Sequence, residues 1–225
     1  MQRFLDIILS SIALLVLSPI LLPIALLLRL TGEGEIFFVQ DRVGKDGKLF
    51  GLFKFATMLK DSPNIGSGTI TVRGDPRILP IGRFLRRSKI NELPQLLNIF
   101  LGHMSVIGPR PLTTQTFNFY DHSTQLLVNE VKPGLSGIQQ IVIRNEEHLV
   151  DMDIVSEDFY INILAPYKGQ LEKWFVSNNN IYTYFLSILI TIWIILTPRN
   201  SAVWRVFKDL PEPPNELKEK LSYIP

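Results

Sequence analysis

The sequence predicts an α+β fold that is mainly helical, has a small β element and begins with an apolar membrane segment. Three observations support this prediction. Residues 7–28 are almost entirely apolar, two short stretches around a Gly-Lys-Asp-Gly turn have strand character, and most later segments have the spacing of short helices separated by Pro and Gly. A length of 225 residues favours one sizeable domain with additions.

Composition limits the classes of function. There are 23 Lys and Arg residues against 21 Asp and Glu residues, so a net charge of +2 does not favour nucleic-acid binding. The absence of cysteine excludes a disulfide framework and a thiolate metal site. Six basic residues nevertheless fall within residues 73–89. Such a cluster attracts anionic phosphate or lipid headgroups, or forms an ordinary solvated face.

The apolar segment is about as long as a spanning helix needs to be. It ends in Leu-Leu-Leu-Arg rather than at a small-x-small cleavage site, which argues against a signal peptide. Pro19 lacks an N–H and Pro23 repeats this defect one turn later, so we expect a bend in the middle of the segment. The hydroxyl of Ser18 is expected to bond a freed carbonyl such as that of Leu14.

Basic residues flank the segment on both sides: Arg3 precedes it, and Arg29, Arg42, Lys45 and Lys48 follow it. By the positive-inside tendency both flanks prefer the cytoplasm, which a single crossing cannot provide. The residues therefore leave two geometries open, a re-entrant hairpin and a Pro-kinked span.

The rest of the chain is predicted to consist of short elements. Strands are expected at residues 35–40, 49–55 and 135–143. Helices are expected at residues 81–87, 92–101, 113–131 and 159–175, the last with a break at Pro166. Residues 63–75 have the composition of an exposed loop, and the polar, proline-rich residues 211–225 that of a mobile tail.

A second apolar stretch at residues 181–196 is short for a membrane span. It carries Tyr182, Tyr184 and Trp193, aromatic residues that favour the level of the lipid headgroups. We expect a helix lying in the membrane interface, with a second span as the alternative.

Eight short motifs occur in a fixed order along the chain. They are Ser18-Pro19, QDRVG at 40–44, FKFATM at 53–58, DPRI at 75–78, GRFLRR at 82–87, ELPQLLN at 92–98, MSVIGPRP at 104–111 and KPGLSG at 132–137. With these motifs, most of residues 1–200 resembles the bacterial sugar transferases, which are also called monotopic phosphoglycosyl transferases.

The resemblance implies transfer of a sugar 1-phosphate from a nucleotide sugar, usually a UDP-sugar, to polyprenol phosphate, which initiates a surface polysaccharide or glycan. It implies a re-entrant anchor broken at Ser18-Pro19 and a catalytic domain at the cytoplasmic face of the bacterial inner membrane. The expected layout is an anchor at residues 1–31, the transferase domain at 32–180, an interfacial helix at 181–200 and a tail at 201–225. The expected partners are polyprenol phosphate, the nucleotide sugar and inner-membrane lipid, with a homodimer as one allowed assembly and no nucleic acid.

The family's catalytic dyad is an Asp-Glu pair that binds Mg²⁺, and its Asp is the proposed nucleophile. Glu92 matches the Glu, but Asn91 stands at the position of the nucleophile, where an amide cannot attack. Asparagine is also a preferred helix N-cap. Three hypotheses follow: Glu92 attacks or acts as a base, another carboxylate (Asp75, Glu146 or Glu147) takes part, or the protein is an inactive membrane-surface scaffold. A working enzyme with an altered mechanism is favoured, because the arginines of the site are retained.

Four arginines are expected to bind phosphate. Arg86 and Arg87 precede Glu92 by about one helical turn, and Arg110 is fixed between two prolines. Arg144 lies where the family has an arginine implicated in phosphate binding. The alternatives are a structural salt bridge for Arg110 and pairing with the neighbouring glutamates for Arg144.

Overall fold

The structure is a computed structural model that describes residues 1–31, 33–64, 75–144, 157–197, 201–218 and 221. The described chain is mainly helical with two small sheets, as the sequence predicts. It divides into two compact units. The first unit contains Arg3–Asp41 and Phe50–Gly102, and the second contains Arg42–Leu49 and His103–Pro225.

The helices and strands are short except at the N-terminus and near the C-terminus. Up to Gly102 they are α1 (Gln2–Leu30), β1 (Phe37–Val43), β2 (Leu49–Phe55), α2 (Pro80–Arg87) and α3 (Gln95–Leu101). After Gly102 they are β3 (Ser105–Ile107), α4 (Thr114–Phe117), α5 (His122–Asn129), β4 (Gly134–Ser136), α6 (Ile138–Val142), α7 (Glu157–Phe159), α8 (Ala165–Ser177), α9 (Ile181–Leu196), α10 (Ala202–Val206) and α11 (Asn215–Lys218). Strands β1 and β2 form one sheet, and β3 pairs in parallel with β4 in the other.

Helix α1 is held in the first unit at both ends. Near its start, the guanidinium of Arg3 donates to the carbonyl oxygens of Ile99 (2.5 Å) and Phe100 (2.7 Å), so it caps the C-terminal end of α3. Near its end, Leu28 is buried with Phe55 and Leu85 in an apolar core. Between these attachments, at residues 11–27, no residue is buried.

The middle of α1 therefore carries many exposed apolar side chains, although Leu21, Ile24 and Ala25 pack against the core. Within the described part of the chain, α1 is the one helix that is long and apolar enough to cross a membrane by length and composition. Its most apolar window has a mean hydropathy of 2.6 and is 6% buried, unlike the core helix of a soluble protein. Exposed apolar surface on this scale is typical of a segment that contacts lipid.

The helix continues without interruption through Pro19 and Pro23, so the helix–break–helix predicted at Ser18-Pro19 is not confirmed. The hydroxyl of Ser18 donates to the carbonyl of Leu15 at 2.8 Å, one residue from the predicted acceptor Leu14. Leu15 lies four residues before Pro19, so its carbonyl is the one that the proline leaves without an N–H donor. The side chain thereby satisfies the polar group that would otherwise be left unpaired in hydrocarbon.

Two of the later elements differ from their predicted form. The helix predicted at 113–131 is two helices, because Asp121 caps a new start with a bond from the Thr124 N–H (3.0 Å). The strand predicted at 135–143 ends at Ser136 and gives way to α6. The apolar run has no strict alternation, and periodicity alone does not separate a strand from a buried helix.

The break predicted at Pro166 takes the form of a π-helical turn, Tyr160–Leu164, directly before α8. Proline has no N–H to donate, and the wider turn accommodates its absence. The residues predicted to form a mobile tail have packing contacts where the structure describes them. Leu217 is buried, and the hydroxyl of Tyr167 donates to the carbonyl of Pro211 at 3.0 Å.

Candidate functional site

The first unit places Glu92 beside a lysine. Glu92 ends a 3₁₀ turn, Ile90–Glu92, which follows Lys89 in a left-handed conformation (φ 59°). The ammonium of Lys54, on β2, donates to Glu92 Oε1 at 3.0 Å, and the two side chains are 23% and 33% exposed. Glu92 is therefore a partly accessible carboxylate with a cation at one of its oxygens.

Asn91 is not the helix N-cap that its residue type suggests. Helix α3 starts after Pro94, and no side chain caps it. Proline is favoured at the start of a helix, so the helix begins after Pro94 and not at Asn91. The Asn91 side chain is instead buried at 8% exposure, and its Oδ1 has no hydrogen-bond partner among the described residues. A buried amide oxygen without a donor has capacity to accept from a water or to bind a cation.

The oxygen atoms of Asn91 and Glu92 fit Mg²⁺ chemically. Magnesium binds through one or two protein oxygens together with waters and substrate phosphates, and amide carbonyls and carboxylates are both suitable ligands. In the described part of the chain no group of three or more His, Cys, Asp or Glu residues could hold a metal by itself. These residues therefore fit an ion shared with a phosphorylated substrate, and Mg²⁺ stays a prediction.

Arg86 and Arg87 lie in the last turn of α2, which packs against the turn that carries Glu92. Arg87 is exposed, while Arg86 is half-buried with one guanidinium nitrogen 3.7 Å from the sulfur of Met58. Both cations also complement the helix dipole at this end. The first unit thus brings these two arginines into elements adjacent to Glu92.

Asp75 is not a plausible substitute for the missing nucleophile. Its carboxylate is 1% exposed and accepts from Arg77 Nε at 2.8 Å and Nη2 at 2.5 Å. Arg77 also donates to the carbonyl of Ser62 at 2.6 Å, so the pair fixes this part of the chain. The other two candidates, Glu146 and Glu147, lie outside the described residues.

In the second unit, Arg110 lies on a backbone with a hydrogen bond at every residue from Gly108 to Leu112. The partners are Ser136 O for Gly108 N (2.9 Å), Gly134 N for Pro109 O (2.8 Å), Glu172 Oε1 for Arg110 N (2.9 Å), Arg42 Nη1 for Pro111 O (3.1 Å) and Val43 N for Leu112 O (2.9 Å). The Arg110 side chain itself is exposed. The segment is thus held in place, although it bends at Gly108 and Pro109 and does not form the predicted turn.

The acceptor for the Arg110 N–H is a fully buried carboxyl group. Glu172 is 1% exposed on α8, and its Oε2 has no hydrogen-bond partner in the described residues. Burial raises the pKa of Glu172 to about 8, although the Arg110 N–H and the charges of Lys168 and Arg110 act in the opposite direction.

Arg144 is half-buried in the second unit, and its Nε donates to the carbonyl of Ile141 at 3.0 Å. It lines an open cleft of about 280 Å³ together with Ser136, Gln140, Ile141, Thr191, Ile194 and Ile195. The cleft therefore combines one cation with an apolar wall from α9.

Two contacts are not evident from the sequence, that of Lys54 with Glu92 and that of Glu172 with Arg110. A signal for Glu172 was present, because Lys168 and Glu172 fall on the same helical stripe as the buried Leu164, Leu171 and Phe175. Charged residues on a buried stripe need a specific partner.

Comparisons with known proteins give a consistent result. The family model for bacterial sugar transferase matches residues 1–198. Exopolysaccharide production protein PSS of Rhizobium leguminosarum bv. phaseoli is 49% identical over 110 residues, which are 49% of this chain and 55% of that protein. The UDP-glucose:undecaprenyl-phosphate glucose-1-phosphate transferase of Escherichia coli is 35% identical over 190 residues, 77% of this chain and 41% of that protein.

Exopolysaccharide production protein ExoY of Rhizobium meliloti is 34% identical over 159 residues, which are 64% of this chain and 70% of that protein. The chain spans about half the length of the first two relatives, PSS and the Escherichia coli transferase.

The buried carboxyl predicts a specific pH dependence of stability. The pKa of Glu172 is about 8 in the folded protein against 4.5 for an ordinary Glu, so between these values the folded state holds a proton that the unfolded state lacks. The free energy of unfolding should therefore fall as pH rises from about 4.5 to about 8. Glu172→Gln, which is neutral throughout, should flatten this part of the profile.

Urea unfolding of the detergent-solubilised protein at several pH values measures the effect. Glu130→Gln, at an exposed position at the end of α5, is the matched control and should keep the wild-type slope. A Glu172→Gln profile parallel to that of the wild type would contradict the prediction.

Proposed function

The chain belongs to the bacterial sugar transferase family, and from this membership we propose that it transfers a sugar 1-phosphate from a UDP-sugar to undecaprenyl phosphate. The match of the family model over residues 1–198 carries the proposal. The relatives named for this reaction support the donor and acceptor classes, and those named for exopolysaccharide production support a role in the first membrane step of such a pathway.

The proposed reaction exchanges one bond to phosphorus for another. An oxygen of the lipid phosphate attacks the phosphorus that carries the sugar, and the bond from that phosphorus to the oxygen bridging the diphosphate breaks. UMP leaves with the bonding electrons, and the product is a polyprenyl diphosphate sugar. The acceptor is already an anion, so the main requirements are charge neutralisation and alignment.

The arginines are proposed to supply the charge neutralisation. Arg110 suits this role best, because its exposed guanidinium extends from a backbone that is hydrogen-bonded at each residue and has little conformational entropy left to lose. Arg86 and Arg87 offer two further cations next to the Glu92 turn, and Arg144 offers one at the cleft beside α9.

Asn91 and Glu92 are proposed to hold Mg²⁺ through the unpartnered amide oxygen and the carboxylate. When bound, the ion would neutralise charge on the diphosphate of the nucleotide sugar. Lys54 contacts Glu92 Oε1 and fixes the orientation of the carboxylate.

A direct single displacement is proposed in place of a covalent route. The amide of Asn91 cannot act as a nucleophile, the carboxylate of Asp75 is buried against Arg77, and the Glu92 carboxylate is paired with Lys54. The chain thus offers no unpaired carboxylate at this turn in the described residues. A scaffold without activity is the alternative that Asn91 suggests.

The membrane placement is also a proposal. We place α1 in the inner membrane, re-entrant from the cytoplasmic side, with residues 32–180 as the cytoplasmic domain and residues 181–200 at the interface. Support comes from the exposed middle of α1 and from α9, whose apolar side chains Tyr182, Phe185, Leu189, Ile192 and Trp193 are exposed. The residues 201–225 form the tail of this layout.

Release of UMP tests the proposed activity. Purified protein with undecaprenyl phosphate, Mg²⁺ and a panel of UDP-sugars should release UMP, and Glu92→Gln should lower kcat by about 100-fold because a charged group at the reacting phosphates is lost. Glu130→Gln, exposed at the end of α5, should leave the rate unchanged. Absence of UMP release with every sugar nucleotide would favour the scaffold.

Trapping with a radiolabel tests the direct route. A UDP-sugar labelled on the phosphorus next to the sugar should leave no label on the wild-type protein during turnover. Asn91→Asp introduces a carboxylate at the nucleophile position and should allow labelled protein to accumulate when the lipid acceptor is omitted. Labelled wild-type protein would contradict the single displacement.

Charge placed on α1 tests the membrane anchor. Leu15 is 76% exposed in the middle of the helix, and Leu15→Arg puts a charge there that costs about 3 kcal/mol at the centre of a bilayer. The membrane-bound fraction after cell fractionation should fall. Leu49→Arg, at a 57% exposed site on β2, is the matched control and should remain membrane-bound. Equal fractionation of both variants would argue against lipid contact at Leu15.

A further inference from the structure

Arg110 carries the sole backbone N–H of the Pro109–Arg110–Pro111 segment, because proline nitrogen has no hydrogen. That N–H donates to Glu172 Oε1 at 2.9 Å, so the bond joins a side chain of α8 to the residue whose guanidinium is exposed. The preceding carbonyl, of Pro109, accepts the N–H of Gly134 at 2.8 Å. The peptide group between Pro109 and Arg110 is therefore held from both sides.

A buried glutamate is an unusual hydrogen-bond acceptor if its role is only structural. Its carboxyl group is fully buried, and one oxygen has no partner in the described part of the chain. An apolar residue of similar volume would pack at such a site without the cost of burying a polar group. The hydrogen bond to the Arg110 N–H is the contact of this carboxyl group in the described residues, and a purely apolar side chain could not make it.

The other buried charged residue of the same helix does not account for Glu172. Lys168, four residues earlier, is 2% exposed, and its ammonium donates to the Tyr160 hydroxyl at 3.2 Å and lies 5.2 Å from the centre of that ring. Its charge acts on Glu172, but desolvation outweighs it, so the pKa of Glu172 is raised. Among the described residues, the hydrogen bond that Glu172 accepts comes from the Arg110 N–H.

We propose that Glu172 is a positioning residue for the transfer reaction: its carboxyl oxygen fixes the Arg110 peptide and thereby the place at which the Arg110 guanidinium meets substrate phosphate. The inference rests on the proposed function for the identity of that substrate. It concerns Glu172 alone and leaves the roles of Asn91 and Glu92 unchanged.

Two substitutions of Glu172 with side chains of similar size separate the effect of its hydrogen bond from that of its packing. Glu172→Gln keeps an oxygen that accepts the Arg110 N–H, whereas Glu172→Met fills similar space without an acceptor. We expect Glu172→Gln to retain kcat within about threefold and Glu172→Met to lose about 10- to 100-fold, since small errors of placement have effects of this size. Equal losses in the two variants would overturn the proposal.

A double-mutant cycle with Arg110→Ala tests whether Glu172 acts through Arg110. If it does, Glu172→Met should reduce kcat further by less than about threefold once the guanidinium is absent. Losses that multiply would show an independent structural role and overturn the inference. Melting temperatures of all variants identify any loss of folding, and Glu172→Ala replaces the Met variant if that protein does not fold.

A binding readout separates this inference from the proposed function. The same cycle is measured with inorganic pyrophosphate as the probe, by calorimetry on the detergent-solubilised full chain. If the wild type releases no UMP but Glu172→Met weakens pyrophosphate binding only when Arg110 is present, the proposed reaction fails and the positioning role stands. If UMP release is normal and neither cycle shows coupling, the positioning role fails alone.

Discussion

The backbone from Gly108 to Leu112 is the constraint on which the arrangement of the second unit depends. Two prolines remove two donors from this stretch, and one backbone group of each residue bonds to β4, α8 or the segment Arg42–Leu49. The backbone segments at Gly108 and Gly134 are so close that a Cβ on Gly134 would collide with the nitrogen of Gly108. Glycine at these positions, proline beside Arg110 and a carboxyl group on α8 are therefore parts of one requirement, a rigid backbone under an exposed cation.

In the first unit, an apolar helix is attached to the rest of the unit while much of its surface stays exposed. Arg3 satisfies carbonyls at the end of α3, and Leu28 joins the core with Phe55 and Leu85, so both attachments lie near the ends of α1. Many of the intervening side chains are exposed, although Leu21, Ile24 and Ala25 pack against that core. Apolar surface left in water costs about 25 cal/mol per Å². The Ser18 bond to Leu15 removes one of the unpaired carbonyls that a proline creates there. These features are mutually consistent if lipid surrounds the middle of the helix.

Features that depend on residues close together in the sequence could be predicted, whereas those that depend on distant residues could not. The apolar segment, β2 and α2 follow from local pattern, and their bounds agree with the structure closely. The order of the motifs identified the family, which the family model confirms. Capping by Asp121 is also local, but Asp within a helical pattern did not indicate a new start by itself.

The contacts that organise the candidate site were beyond local pattern. Lys54 and Glu92 are 38 residues apart in the chain, and Arg110 and Glu172 are 62 apart, so no periodicity links them. The interpretation of Asn91 as an N-cap failed because Pro94 sets the helix start further along the chain. The buried, unpartnered Oδ1 of Asn91 is a property of three-dimensional packing that residue type does not reveal.

Compared with an aspartate, Asn91 removes a negative charge from the first unit as well as a possible nucleophile. Both proposed substrates, a nucleotide sugar and a lipid phosphate, would bring negative charge, and each nearby carboxylate would raise the free energy of their approach. At the turn that ends in Glu92 the chain carries one carboxylate, which is paired with Lys54, and two arginines on the adjacent helix. An aspartate at position 91 would add a second negative charge, useful to a covalent route that expels UMP before the lipid arrives. A neutral amide there instead suits a route in which both anionic substrates are bound together, because it keeps an oxygen ligand for a cation and lowers the repulsion that the incoming phosphate meets.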